Sequence, residues 1–347
     1  MPKILPVLLA ALSLAMPAFA KEKHVQRTAI QHSREGDRWA EKTLRKLTLQ
    51  EKVGQVFMIW CRAQFLNVES PEYLQFRDDM RKYHVGSFAM SVPVDGPFLL
   101  RTGPYEAAEL LNRLQRESKL PLLIAADFER GVAIRLTGST NFPHAMAFGA
   151  DGKLQDTENF GRITALEARA VGVHWNFFPD ADVNSNPANP IINTRSFGED
   201  PKQVGDMVTA YIKGAHAGGM LTTVKHFPGH GDTATDSHLG VASVSGDRAR
   251  LDSVELPPFR QAIAAGVDSV MVAHVTAPAL DPDPNHVATI SPSVVSDLLE
   301  KQLGFKGLVV TDALDMAGVT HLFANNIGRA AVEAYKAGND LLPIPPD

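Results

Sequence analysis

Short runs of continuous apolar residues alternate along this chain with longer segments whose apolar positions recur every three or four residues. The runs are GQVFMIW (54–60), VGSFAMSV (85–92), LPLLIAAD (120–127), VHWNFFPDADV (173–183), LTTVKHF (221–227), DSVMVAHV (268–275), GLVVTDA (307–313) and NDLLPIP (339–345). Amphipathic segments fill 103–118, 156–172, 200–219, 291–304 and 326–338. Near-continuous apolar strands separated by helices are the mark of βαβ units in a parallel sheet. Eight such strands predict an α/β fold of the (β/α)₈ barrel type. A doubly wound open sheet is the competing architecture, but its dinucleotide form lacks its Gly-x-Gly-x-x-Gly turn here. The eighth run ends two residues before Asp347, so the expected barrel lacks its final closing helix.

Composition narrows the picture. With 347 residues, 44% of them hydrophobic, the chain can bury one large barrel core. A formal net charge of −5 and no basic stripe argue against nucleic acid as a partner. The first twenty residues, MPKILPVLLAALSLAMPAFA, place Lys3 before an apolar run and end in Ala-Phe-Ala. That pattern predicts a secretory signal peptide cleaved after Ala20, and hence a periplasmic or secreted protein. The run is too short for a confident span, and no later segment resembles one, so no membrane span is expected after cleavage. Residues 21–37 then read as a poorly ordered polar lead-in and 38–347 as the barrel domain. Cys61 is the only cysteine, which excludes an intrachain disulfide.

Barrel enzymes build their sites at the carboxyl ends of the strands. Here the third run ends with Asp127 and Glu129, and the fourth leads through PDADVNSNPANP to Arg195 in NTRSFGEDP. The fifth ends with Lys225 and His226, the sixth with His274 and the seventh with Asp312. Taken singly, each has a structural reading: Asp127 and Asp312 could cap helices, and His274 could be a satisfied core histidine. Five consecutive strands ending in ionisable residues point to a catalytic face.

The segment VKHFPGHGDTATDSHLG (224–240) concentrates His226, His230, His238, Asp232 and Asp236. A metal site would use these imidazoles and carboxylates, yet the spacing matches no helical ligand motif, and the glycines make a loose scaffold. A purely structural loop explains the glycines, with Gly229 and Gly231 free to take positive φ and Pro228 fixing a bend. Acid/base chemistry explains more. In an extended segment Asp236 and His238 project to the same side, and a carboxylate on one imidazole nitrogen fixes the tautomer and supports the protonated ring. An ionised Asp312, with its pKa lowered by Lys225 and Arg195, would supply the nucleophile. That pair is the inventory of a retaining glycosidase, with His–Asp in place of the second carboxylate.

KHFPGHGDTATDSH and VVTDALDM, with NTRSFGEDP, the Asp-x-Glu at Asp127, VMVAHV and AGNDLL, resemble the bacterial β-N-acetylglucosaminidases of glycoside hydrolase family 3, the NagZ type. The resemblance covers most of the chain. It implies a single barrel that removes terminal β-linked N-acetylglucosamine from peptidoglycan- or chitin-derived saccharides, with no metal or organic cofactor. It assigns Asp312 as nucleophile and His238, polarised by Asp236, as acid/base. Asp127, Arg135, Arg195, Lys225 and His226 would hold the sugar. Arg130 stands where the family has glycine and is a candidate for an acidic substrate group; His274 is a further candidate for sugar contact. No protein partner is implied. Alternatives on the same residues are a phosphorylase, a metal-dependent hydrolase and a non-catalytic glycan-binding barrel.

Overall fold

The computed structural model describes residues 33–344 apart from Pro97 and Leu239; the leader and its cleavage point lie outside the described residues. Eight parallel strands form the barrel: β1 (Phe57–Arg62), β2 (Ser87–Ser91), β3 (Leu123–Ala126), β4 (Trp175–Asn176), β5 (Leu221–Phe227), β6 (Ser269–Val272), β7 (Leu308–Thr311) and β8 (Leu342–Ile344). Each pairs with its sequence neighbour, β8 returns to β1, and a single bridge between Val310 and Leu341 joins β7 to β8. All eight apolar runs therefore became strands. The fourth is far shorter than its run, but single bonds carry the pairing on, from Phe177 N–H to the Ala126 carbonyl and from the Thr223 and Lys225 N–H groups to the Phe178 and Pro179 carbonyls, as far as the Asp180–Lys225 bridge.

Among the described residues, the main helices of the seven connections are Pro71–Lys82, Pro104–Glu117, Leu154–Ala170, Pro201–Ala217, Leu256–Ala264, Ser293–Gln302 and Ile327–Ala337. The Ser293–Gln302 helix has wide i→i+5 turns. Two of the seven were not visible in the hydrophobic pattern. Pro71–Lys82 buries Tyr73, Phe76 and Met80 among charged residues, and Leu256–Ala264 carries two prolines in its first turn. The polar lead-in is corrected in part. Arg34–Lys46 is helical, capped by the Ser33 hydroxyl, with acids in its first turn and bases in its last. None of its residues is buried. Beside β8, apolar side chains of Leu49, Val53, Ile327, Ala331 and Tyr335 border an open groove of about 710 Å³.

The barrel is plugged at its amino-terminal end, which forces the chemistry to the other end. Met58, Ala89, Ala125, Trp175, Met271 and Val310 meet inside it. Small alanines on β2 and β3 leave room for the Trp175 indole, whose Nε1–H donates to Thr223 Oγ1 at 2.6 Å. A second, larger apolar layer lies between the strands and the helices.

Candidate active site

Above the plug, a cavity of about 590 Å³ opens at the carboxyl ends of the strands. Asp127, Arg135, Arg195, Lys225, His226, His238 and Asp312 all line it, and Asp236 stands directly behind His238. The fold thus brings together eight of the ten residues nominated from the sequence. Two do not reach the cavity. His274 is fully buried: its Nε2 lies 2.9 Å from the Ala313 carbonyl oxygen and its Nδ1 2.7 Å from Thr289 Oγ1. Nε2 donates to that carbonyl, and burial lowers the pKa of the ring. It braces the turn after Asp312 and is not among the residues that line the cavity. Arg130 is likewise absent from the cavity wall; its charge acts at His144, whose pKa is lowered by burial and then by Arg130.

A buried charge cluster forms one wall. Glu129 receives a two-pronged bond from Arg195, Nε and Nη2 each at 2.9 Å, and Lys225 Nζ approaches at 2.6 Å. Lys225 also donates to Asp127 Oδ1 at 3.0 Å, while Arg135 lies 3.8 Å from the other Asp127 oxygen. Asp180 lies beneath, wholly buried, 3.3 Å from Arg195 Nε and 3.9 Å from Lys225 Nζ. Burial disfavours ionisation of Glu129, but the two cations outweigh it and hold this carboxyl well below its ordinary range. Asp180 goes the other way: burial and then Glu129 push it up to about 7. Neither Asp180 oxygen is hydrogen-bonded, although both cations lie within 4 Å.

The end of β5 explains how Lys225 and His226, adjacent in sequence, both face the cavity. In a regular strand they would point to opposite sides. Between Val224 and Phe227, β5 advances three residues while β6 advances two, from Val270 to Val272. That bulge re-aims both side chains; the Lys225–His226 peptide is cis. Asp182, fully buried, secures the result. It accepts the His226 amide, His226 Nδ1–H at 2.8 Å and the His230 amide at 2.6 Å. Burial opposes a charged His226 ring and Arg195, 3.3 Å from Nε2, opposes it further, but Asp182 prevails and the pKa is raised.

Asp312 follows β7. Its backbone N–H bonds to Val272 at 3.0 Å and its own Oδ1 accepts the Ala313 N–H at 2.8 Å. Burial alone would raise its pKa, but His226, His274, the Ala313 amide and His238 together lower it. The expectation that Lys225 and Arg195 ionise it is therefore corrected. Those cations are committed to Glu129, Asp127 and Asp180, and the histidines act on Asp312.

His238 sits on a short turn, its side chain about half exposed. Asp236 Oδ1 accepts both the His238 amide at 2.9 Å and Nδ1–H at 2.7 Å. This is an Asx-type turn, so the pair is built by a turn and not by the strand alternation expected from the sequence. Burial works against Asp236 ionisation, but the His238 amide and ring outweigh it and lower its pKa. Nε2 of His238 is left for the cavity. The glycines also differ from expectation. Gly229 takes a positive φ of 129°, whereas Gly231 does not; a side chain at Gly231 would collide with the Val183 carbonyl.

The sequence reading put Glu129 at a strand tip without giving it a role, and missed Asp180 and Asp182 as site residues. Their signals were visible in DFE and PDAD at two strand ends, but nothing in one dimension shows that these acids meet Lys225, Arg195 and His226. Asp180, Asp182 and His226 also offer ligand atoms within 4.8 Å of one another. They fit a cation poorly, since Asp182 is occupied by N–H donors and Asp180 faces Arg195 and Lys225. Trp60, Leu99, Phe177, Met271 and Met316 add apolar wall that the sequence did not mark. Leu99 reaches the rim from a short hairpin, Val94–Asp95 against Phe98–Leu99.

A parallel eight-stranded barrel, plugged below and carrying an ionised aspartate and a carboxylate-backed histidine around one cavity above, is the framework of a barrel glycosidase. The chain belongs to glycoside hydrolase family 3: residues 48–347 match the Glycosyl hydrolase family 3 N terminal domain. Among curated proteins it is 36% identical over 304 residues to Beta-hexosaminidase A of Pseudoalteromonas piscicida, covering 82% of this chain and 49% of that protein. The chain thus spans about half the length of that relative. A solved family 3 β-N-acetylglucosaminidase from Paenibacillus sp. str. FPU-7 superposes with TM-score 0.78 at 39% identity, covering 86% of this chain and 55% of the other. The beta-glucoside phosphorylase BglX superposes with TM-score 0.81 at 28% identity, covering 90% and 55%.

Proposed function

We propose that this protein is a retaining, exo-acting β-N-acetylhexosaminidase that hydrolyses terminal β-linked N-acetylglucosamine from peptidoglycan- or chitin-derived saccharides. One observation carries the reading. A buried aspartate with a lowered pKa and an imidazole backed by a carboxylate face the same cavity, so a nucleophile and a proton carrier are both present. In the first step Asp312 attacks the anomeric carbon and His238 gives its Nε2 proton to the departing oxygen, leaving a covalent glycosyl-enzyme. In the second, His238 takes a proton from water as the water displaces Asp312. Asp236 keeps the Nδ1 proton throughout and stabilises the imidazolium that forms. Asp127, Lys225, His226, Arg135 and Arg195 surround the sugar, in line with the relatives named for hexosaminidase activity.

The test is turnover of a chromogenic β-N-acetylglucosaminide, with intact-mass detection of a sugar adduct on Asp312 under a slow-turnover fluorinated substrate. No adduct, or an adduct elsewhere, would sink the retaining mechanism. Phosphorolysis is the second reading, favoured by the imidazole acid/base. A neutral imidazole repels an anionic acceptor less than a carboxylate does, and a structural neighbour bears a phosphorylase name. Assays with and without inorganic phosphate separate the two, since hydrolysis predicts no phosphate-dependent gain. The leader-like pattern of residues 1–20 supports a periplasmic or secreted location, which fractionation of the native host checks.

A further inference from the structure

We infer that His230 is a positioning residue that latches the acid/base turn into the site through the Ser237 hydroxyl. The inference rests on the proposed role of His238. His238 is half exposed and sits in a turn, so something must hold it over the cavity. Ser237, between the two members of the dyad, is 2% exposed. Its Oγ lies 2.9 Å from His230 Nε2, and its carbonyl accepts the Gly318 N–H at 3.1 Å. A side chain at Gly318 would press on that carbonyl and on His274, at 2.8 and 3.0 Å, so glycine lets the two segments close. Ser237 thus joins the acid/base turn to the segment that follows Asp312.

His230 is the fixed end of this latch. Its amide is held by Asp182 at 2.6 Å, and its carbonyl accepts Asn189 Nδ2–H at 2.8 Å. The ring's proton can be placed. Thr233 Oγ1 spends its hydrogen on the His230 carbonyl at 3.0 Å, so Nδ1, 2.6 Å from that oxygen, must donate to it. Nε2 is then an acceptor, and Ser237 O–H donates. Burial, and then the charge on His226, lower the His230 pKa to about 4, so the acceptor persists at neutral pH. A single neutral hydrogen bond therefore connects the Asp182 hub to the dyad.

The test is Ser237→Ala, read on two substrates with a shared sugar: one with an alkyl or saccharide aglycone, one with a dinitrophenyl aglycone that leaves without a proton. The latch predicts that kcat/KM falls about tenfold on the first, the rate equivalent of one lost hydrogen bond, and stays within about twofold on the second. Azide, which attacks without a base, should restore kcat on the activated substrate. His230→Gln should stay near wild type on both, because its amide oxygen can still accept from Ser237. If that variant does not fold, Ser237→Ala decides alone. Equal losses on both substrates, or no loss on either, overturn the latch. His238→Ala is the control. If it shows the aglycone split and Ser237→Ala does not, the latch is wrong and the acid/base assignment stands. If His238→Ala shows no split, the assignment itself fails.

Discussion

The two halves of the site are built on opposite plans. Asp312 and the charge cluster beside it stand on strand ends and the loops beyond them, largely buried, with charges that compensate one another: Glu129 with Arg195 and Lys225, His226 with Asp182. His238 stands on a turn, half exposed, held by Asp236 and, through Ser237, by His230. The difference follows from the tasks. A nucleophile must be ionised and aligned before substrate arrives, and only a rigid, desolvated setting makes that alignment permanent. A proton carrier meets a leaving group that varies and must change protonation twice per turnover, which an exposed imidazole does readily.

Removing the nucleophile should have the largest effect. Asp312→Ala is expected to lower kcat by about 10⁴-fold or more on every substrate, because no other group can form the covalent intermediate. Steady-state assay checks it; near-normal turnover would overturn the assignment.

The charge cluster should be fragile in a way the turn is not. Lys225→Met leaves Glu129 and Asp127 without their shared cation, and a broken buried pair costs about 3–5 kcal/mol. Denaturant unfolding should show that loss, while His238→Ala, at an exposed position, should shift the midpoint little. A larger destabilisation from His238→Ala than from Lys225→Met would invert the comparison.

His238→Ala should instead act on chemistry. A loss of about 10²-fold in kcat/KM is expected with a poor leaving group and little loss with an activated one. A leaving-group series measures it, and a uniform loss across the series would remove His238 from the first step.

The smallest effect concerns pH. His174 is part-buried and His230 buried, each with its pKa lowered by burial from 6.5 to about 4. Between those values the unfolded chain binds protons that the folded chain refuses, so stability falls as pH drops from about 6.5 towards 4. Thermal midpoints at pH 7 and pH 5 should differ in that direction. His174→Asn, whose oxygen can replace Nδ1 in accepting the Ile124 N–H, should flatten the slope. An unchanged slope would mean that the His174 ring does not stay neutral in the fold.

Much of the barrel was legible in one dimension, since strands buried on both faces must be continuously apolar and eight such runs leave few topologies. The helices Pro71–Lys82 and Leu256–Ala264 were not, because a helix covering only part of a sheet needs few apolar residues. Asp127, Arg195, Lys225, His226, His238 and Asp312 were legible because each lies at or beyond the carboxyl end of a strand and so stands at one end of the barrel.

The sequence by itself thus determined which residues reach the catalytic end, because chain order and strand direction fix that. It could not determine which charges neutralise which. Arg195 and Lys225 went to Glu129 and Asp180 and not to Asp312, His274 turned outward to brace the Ala313 carbonyl, and Arg130 missed the cavity. It also could not reveal the bulge that turns Lys225 and His226 to one side, or the turn that joins Asp236 to His238. Those outcomes depend on distances of a few ångströms between segments far apart in the chain, where electrostatic and hydrogen-bond energies change steeply. Only the closed barrel sets such distances.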